Sequence, residues 1–209
     1  TNLFPNLTVL VVDDNSPDGT GALLDELTGQ YPRLRVLHRP AKAGLGTAYV
    51  AGFGMALDAG ADYICSMDAD LSHDPAHLPE LIRAAAHADL TLGSRYIRGG
   101  GIANWAWQRR LASRLANAYA RLILDVRVHD LTGGFKCYRR SVLERIDLAR
   151  CSSVGYSFLI ETTYRAIKAG ARVVEVPITF TERKFGQSKL DFAIARESCW
   201  RVIALRLGL

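Results

Sequence analysis

The chain has 209 residues, 49% of them hydrophobic and 22% charged, which fits one globular domain with a sizeable core and argues against disorder. Lysine and arginine (26) outnumber aspartate and glutamate (21), giving a net charge of +5 that suits an anionic partner. Zinc-ligand spacings and aromatic-rich basic repeats are missing, so nucleic acid is not the expected partner.

Leu7 to Val12 is a β-branched apolar run, the pattern of a buried parallel strand. It ends in the turn-forming cluster Asp13-Asp14-Asn15-Ser16-Pro17-Asp18-Gly19-Thr20, and a helix follows with Leu23, Leu24 and Leu27 on one face. Leu34 to Leu37 is a second strand. Residues 39–46, with Arg39 and Lys42, form a basic, glycine-containing loop before a small-residue helix over 47–57. Residues 61–67 are a third strand, delivering Ser66-Met67-Asp68-Ala69-Asp70-Leu71-Ser72-His73-Asp74-Pro75. Asp74 before Pro75 reads as the cap of a helix over 76–86. Leu90 to Leu92 is a fourth strand, ending in Gly93-Ser94-Arg95-Tyr96, and residues 98–102 read as a loop.

A long helix over 105–124 carries Leu111, Leu115, Ala118 and Leu122 on one face. Gln108, Arg109, Ser113, Arg114, Asn117 and Arg121 are its polar positions, the pattern of a solvated face. Residues 130–138 read as a loop entering a strand, 141–146 as a short helix, and 155–169 as a helix with Glu161 one turn in. Residues 172–180 are extended, with Pro177 favouring an edge or a break. Residues 181–189 are basic and turn-rich, and 190–209 form a basic, amphipathic final helix. Strands alternating with helices predict a mostly parallel, doubly wound, Rossmann-like sheet in a single domain spanning 1–209. The four cysteines form no CxxC pair and are expected to be reduced thiols.

Asp68 and Asp70 stand one residue apart where a strand hands over to a loop, the end of an open α/β sheet at which ligands bind. Carboxylates there need a partner, and Mg²⁺ held by one or two carboxylates plus substrate phosphates is one. Acidic loops also fall at Asp13/Asp14 and Asp130, and basic ones at Arg39/Lys42, Arg95 and Arg183 to Lys189. Acids and cations clustered in this way make sense around a metal-bound pyrophosphate.

The segments VVDDNSPDGT, KAGLGTAY, MDADLSHDP, GSRY, DLTGGFKCYRR, GYSFLIE, EVPITF and ERKFGQSKL occur in that order. Together, from Leu7 to about Arg201, they closely resemble the family 2 glycosyltransferases, and within them the polyprenol (dolichol) phosphate mannose synthases. The resemblance implies a GT-A-like three-layer α/β/α fold and a β-mannosyltransferase. It implies GDP-mannose as donor and a polyprenol or dolichol phosphate as acceptor. By the same resemblance, Asp13, Asp14 and Lys42 are expected on the donor side with Asp68, Ala69 and Asp70, and Asp68 and Asp70 are expected to bind a divalent cation, Mg²⁺ or Mn²⁺. The resemblance implies that Arg95, Arg109, Ser113 and Arg114 handle phosphate groups, with Asp70 and the three arginines as the catalytic set. Arg183 and Lys189 belong to an acceptor-side loop. The opening strand of family members, roughly V-[IV]-x-P-[TA]-Y-N-E, has no match in residues 1–6, which leaves open a trimmed segment or impaired donor binding.

A phosphate acceptor is already anionic near neutral pH, so an inverting single displacement without a strong general base is expected. A lipid acceptor and the final helix imply peripheral attachment to the cytoplasmic face of a membrane, with a separate anchoring partner as a further expectation. Two other readings stay open: a polyprenol phosphate glucosyltransferase using UDP-glucose, and a catalytically impaired nucleotide-sugar-binding module.

Overall fold

The computed structural model describes residues 4–151, 155, 157–182 and 192–208, with side chains throughout except at 192–196. The chain divides into two compact units, Thr1–Ala61 and Asp62–Leu209.

In the first unit, β1 (Val9–Asp13) and β2 (Leu34–His38) pair in parallel, with Asp13 opposite His38. The crossover is α1 (Thr20–Gln30), and α2 (Leu45–Asp58) follows β2. The turn into α1 is set by Asp18, whose carboxylate accepts from the Thr20 amide at 3.1 Å and its hydroxyl at 2.6 Å. Gly52 of α2 brings that helix close to β1, where a Cβ would lie 3.0 Å from Val12 Cγ2.

The second unit is built on a four-stranded sheet in the order β3-β6-β4-β7, comprising β3 (Tyr63–Ser66), β6 (Lys136–Arg139), β4 (Leu90–Ser94) and β7 (Val173–Pro177). β4 and β7 run parallel, whereas β6 lies antiparallel to both β3 and β4. The parallel pattern read from the sequence therefore holds for β1–β2 and β4–β7, and β6 departs from it. Its sequence neighbours are a loop and a short helix, α5 (Arg140–Arg145), and local pattern carries no sign of strand direction. Two short strands, β5 (Gly101–Ala103) and β8 (Thr179–Thr181), pair in parallel beside this sheet. β5 falls where the sequence predicts a loop. Pro177 closes β7, an edge strand of the sheet, and Ile178 separates it from β8, as the proline implies.

The period of two along β6 divides its neighbours. Phe135 and Cys137 face α3 (Leu78–Ala85) in a core with Leu81, Ala85, Val176 and Ile178. Lys136 and Tyr138 face α6 (Ser157–Lys168), where Tyr138 Oη lies 3.1 Å from Thr162 Oγ1. Sheet between two helix layers is thus the arrangement of this unit. Asp74 accepts from the Ala76 amide at 2.8 Å and Pro75 opens a short 3-10 turn before α3, as the sequence predicts. The long helix α4 (Trp107–Leu124) is stopped by Asp125 in the left-handed region (φ 55°). The last helix, α7 (Phe192–Leu207), packs against α4 and α6 and buries Val202 and Ala204.

Candidate active site

At the end of β1 the two aspartates have different fates. Asp13 is buried, accepting from the Ser16 amide at 3.3 Å, and its other oxygen lies 3.7 Å from His38 Nδ1. Gly21 leaves it that space, since a Cβ there would come within 3.0 Å of Asp13 Oδ2. A close contact with Asp25, 2.8 Å from Nε2, raises the His38 pKa. Asp14 pairs with Arg39 at 2.8 Å, and Arg39 also donates to Thr47 Oγ1 at 2.7 Å. The acidic and basic loops of this unit therefore meet each other, because parallel β1 and β2 set their carboxyl ends side by side. Lys42 is exposed on the second loop.

In the second unit, β3 ends at Ser66, whose hydroxyl donates to the Gly134 carbonyl at 2.7 Å. The chain then turns through Asp68-Ala69-Asp70 with Leu71 in the left-handed region (φ 64°), a sparsely populated conformation for a branched side chain. Asp70 Oδ1 accepts from both the amide and the hydroxyl of Ser72, which orients the carboxylate. Asp68 is partly exposed, and its backbone amide donates to His73 Nδ1 at 3.1 Å, placing the neutral ring's proton on Nε2. Burial lowers the His73 pKa against the attraction of Asp68. Among the described residues, Asp68 makes no ion pair with lysine or arginine. A partly exposed carboxylate without a cation beside it, next to a second one held in fixed orientation, fits a divalent ion whose remaining ligands are substrate phosphates. No cluster of three or more acidic, histidine or cysteine ligands occurs among the described residues.

Arg95 follows β4 and is almost fully buried. Its Nε and Nη2 each donate to Asp130 at 2.7 Å, its backbone amide donates to the same carboxylate at 3.0 Å, and Nη2 also reaches Thr132 Oγ1 at 2.8 Å. Asp130, which the sequence places among the acids around a pyrophosphate, is instead fully buried as the counter-ion of Arg95. Glu175 of β7 supports it from behind, accepting from the amides of His129 and Asp130 at 2.9 and 3.0 Å. Asn117 of α4 accepts from the amides of Leu131 and Thr132 and donates to Thr132 Oγ1. Gly100 permits the approach of the next loop, where a Cβ would fall 2.4 Å from the Ser94 carbonyl oxygen.

An aromatic cluster joins these two parts. Phe180 lies edge-on to both His73 (5.1 Å) and Trp105 (5.4 Å), and the Arg95 guanidinium lies 5.3 Å from the Phe180 ring. The Arg109 guanidinium stacks 3.9 Å from the Trp105 ring and pairs with Glu182 at 3.0 Å. Trp105 Nε1 is buried with no hydrogen-bond partner among the described residues, a donor that a ligand oxygen would satisfy. The Asp68–Asp70 loop, Arg95 and Arg109 are thus brought together. Ser113 is drawn elsewhere, accepting from Tyr96 Oη at 2.7 Å. Arg114 lines a cavity with Arg95, Tyr96, Asn117 and Arg121.

Arg183, Lys189 and Tyr156 lie outside the described residues. Glu161 is fully buried and pairs with Arg165 at 2.7 Å. Trp105, Phe180 and His73 are site residues that the sequence reading did not single out. His73 and Phe180 lie inside the quoted segments MDADLSHDP and EVPITF, which was the available signal, whereas Trp105 lies outside all of them.

The profile of Glycosyl transferase family 2 matches residues 2–147. A polyprenol monophosphomannose synthase from Mycolicibacterium smegmatis is 52% identical over 200 residues, covering 95% of this chain and 76% of that protein. An undecaprenyl-phosphate mannosyltransferase from Micrococcus luteus is 43% identical over 216 residues, covering 98% of this chain and 89% of that protein. Among solved structures, the crystal structure of a mycobacterial protein superposes with a TM-score of 0.66 at 16% identity, over 97% of this chain and 65% of that one. Glucosyl-3-phosphoglycerate synthase from Mycobacterium tuberculosis, in complex with Mn²⁺, UDP and glucosyl-3-phosphoglycerate, gives a TM-score of 0.60 at 18% identity, over 96% of this chain and 68% of that one. Those two likenesses are of fold, and they carry the GT-A-type α/β architecture. The profile match and the two relatives reach further, and by them the chain belongs to glycosyl transferase family 2 and is a glycosyltransferase.

Proposed function

We propose that this chain transfers mannose from GDP-mannose to a polyprenyl phosphate, inverting the anomeric carbon to give a β-linked mannosyl phosphate lipid. The names of the two relatives support the sugar and the acceptor class. The observation that carries the reading is the aromatic cluster of His73, Phe180 and Trp105, on which the carboxylates of the Asp68–Asp70 loop and the guanidinium groups of Arg95 and Arg109 are assembled.

The resemblance assigns the nucleotide to Asp13, Asp14 and Lys42, and the cation-bound pyrophosphate to Asp68 and Asp70. A divalent cation supplies charge neutralisation to the departing diphosphate. The acceptor phosphate oxygen attacks the anomeric carbon from the face opposite the leaving group. A carbon–oxygen bond forms there, and the bond to GDP breaks with its electron pair going to the β-phosphate oxygen. The nucleophile needs no strong base. Asp130 could not serve as one, since both its oxygens are committed to Arg95. Arg109 and Trp105 Nε1, which has no hydrogen-bond partner among the described residues, would orient the acceptor phosphate, while Arg95 fixes the ring cluster and adds positive charge.

No helix among the described residues is long and apolar enough to cross a membrane. The lipid acceptor therefore implies work at a membrane surface, proposed as the cytoplasmic face, with or without a separate anchoring subunit. Incubation with a prenyl phosphate and either GDP-mannose or UDP-glucose, with and without chelator, tests the reading. Mannosyl product that needs a divalent cation and carries the β configuration supports it. Turnover of UDP-glucose alone, activity insensitive to chelation, or an α-linked product would each overturn the corresponding part.

A further inference from the structure

Where β1 and β2 end, the loops that follow them stay in step. Asp13, Asp14 and Asn15 each meet the residue 25 positions further on: Asp13 Oδ2 lies 3.7 Å from His38 Nδ1, Asp14 pairs with Arg39 at 2.8 Å, and Asn15 Nδ2 donates to the Pro40 carbonyl at 3.2 Å. The Arg39 amide also donates to the Asp13 carbonyl at 2.8 Å. Of these three side-chain contacts, the first alone can change its charge near neutral pH, since a guanidinium keeps its proton and a carboxamide has none to lose.

His38 is clamped between two carboxylates. Its Nε2 is 2.8 Å from Asp25 Oδ1 of α1, and its Nδ1 faces Asp13. Both contacts are attractive only while both ring nitrogens carry protons. Asp25 holds the closer nitrogen, so on deprotonation the lone pair falls on Nδ1, toward the buried Asp13 carboxylate. Gly21 makes room for the pair: a Cβ there would come 3.0 Å from Asp13 Oδ2 and 3.5 Å from His38 Cε1. On its open side the ring lines a cavity of about 530 Å³ with Asp25, Thr28 and Arg35, so its proton exchanges with water. The charged groups facing it among the described residues are Asp13 from β1, Asp25 from α1 and, across the cavity, Arg35 of its own strand. Asp25 foremost, and Asp13 after it, raise the His38 pKa. Asp13 in turn accepts from the Ser16 amide and so sets the turn that carries Asp14.

We propose that His38 is a positioning residue for the nucleotide: as an imidazolium it holds the Asp13 carboxylate, and through it the turn over residues 13–16, in the form that binds the donor, and as a neutral ring it releases that hold. This rests on the assignment of the nucleotide to Asp13 and Asp14 made above. It adds a residue that acts through Asp13 rather than on the sugar or the phosphates.

The test is calorimetric binding of GDP and of UDP to the full chain from pH 6 to 9, beside a proton NMR titration of the His38 ring, which needs no ligand. Below the ordinary histidine value of about 6.5 the hold is complete, and it is lost as pH rises through the raised folded value. GDP affinity should fall by ~3–10-fold across that range, with the midpoint seen by NMR. The nucleotide's own ionisation is common to every variant, so the variants supply the comparison. Asp25→Asn, at a largely exposed carboxylate that puts the fold at little risk, should move both midpoints down together. His38→Lys, which stays charged to higher pH, should flatten the fall, and His38→Ala should bind weakly throughout. In mannosyl transfer these changes should appear in the donor KM rather than in kcat. Parallel binding curves for wild type, Asp25→Asn and His38→Lys overturn the proposal, and so does an NMR midpoint at or below the ordinary histidine value. Binding of UDP in place of GDP, with the same dependence on His38, would overturn the GDP-mannose reading and leave this one standing.

Discussion

Arg95 and Asp130 face each other through two parallel hydrogen bonds of 2.7 Å, 35 residues apart in sequence and sealed from solvent. The pair fixes the end of β4 to the loop before β6, and so fixes the base of the candidate site. Asp130→Asn would leave the guanidinium buried and only half satisfied. A loss of about 3–5 kcal/mol of stability is expected, read as a lower midpoint in urea unfolding. Arg95→Lys should recover little of it, since an ammonium cannot reproduce the fork. A midpoint within experimental error of wild type would mean that the pair does not organise this region.

Asp70→Ala should reduce mannosyl transfer by at least ~100-fold while leaving the melting temperature within a few degrees of wild type. The carboxylate sits in a loop, where Oδ1 accepts from the amide and the hydroxyl of neighbouring Ser72. Ser72→Ala should give a smaller loss, because it frees the carboxylate to rotate without removing it. Near-normal turnover by the Asp70 variant would sink the cation assignment.

Lys136 is fully buried between β6 and α6, donating to the Leu159 carbonyl and to Thr163 Oγ1 at 2.8 Å, with no carboxylate in direct contact among the described residues. Burial lowers its pKa to about 7, with Asp130 opposing the shift. Below pH 7 both folded and unfolded states carry the proton, and the burial cost is felt in full. Between pH 7 and about 10 the unfolded chain binds more protons at this position than the folded one, so stability should rise with pH by up to ~1.4 kcal/mol per unit. Lys136→Met should flatten that component. Melting temperatures of both proteins from pH 6 to 10 provide the comparison, and parallel profiles would refute it.

Asn117 is the polar residue around which α4 docks. Its amide satisfies the backbone amides of Leu131 and Thr132, the Thr132 hydroxyl and the Ser113 carbonyl. Asn117→Ala leaves one buried and one partly buried donor without this partner and should cost about 2–4 kcal/mol. Asn117→Leu, though closer in volume, should be no better. Rescue by leucine would show that packing rather than hydrogen bonding sets the position.

The elements of the fold were largely legible, because alternation of apolar runs and helical spacing is a local signal. Asp74 and Pro75 marked the start before α3, and Pro177 marked the break after β7. What escaped was non-local. The direction of β6 depends on partners about 45 and 70 residues away. Asp130 read as a ligand acid because nothing near it in sequence announces Arg95. Helix α4 is the sharpest case: amphipathic spacing identified its two faces, and the ordinary inference that leucines turn inward was reversed. A single buried asparagine with four hydrogen bonds, beside small Ala120, outweighs the stripe in deciding which face docks.

The position of β6 also bears on how the second unit is assembled. β3 and β4, consecutive strands, are not bonded to each other; β6 enters between them. Until Lys136–Arg139 has emerged from the ribosome, each of the earlier strands has an open edge facing the gap, and its alternate residues have no ladder to join. Hydrophobic Ile64, Leu90 and Leu92 lie along those edges. A nascent or truncated chain that stops before residue 136 therefore exposes both edges of this gap as templates for pairing with other chains, whereas four further residues fill the gap and leave the far edge of β4 for β7. Solubility should change abruptly with length across this short interval, rather than gradually with the growth of the core.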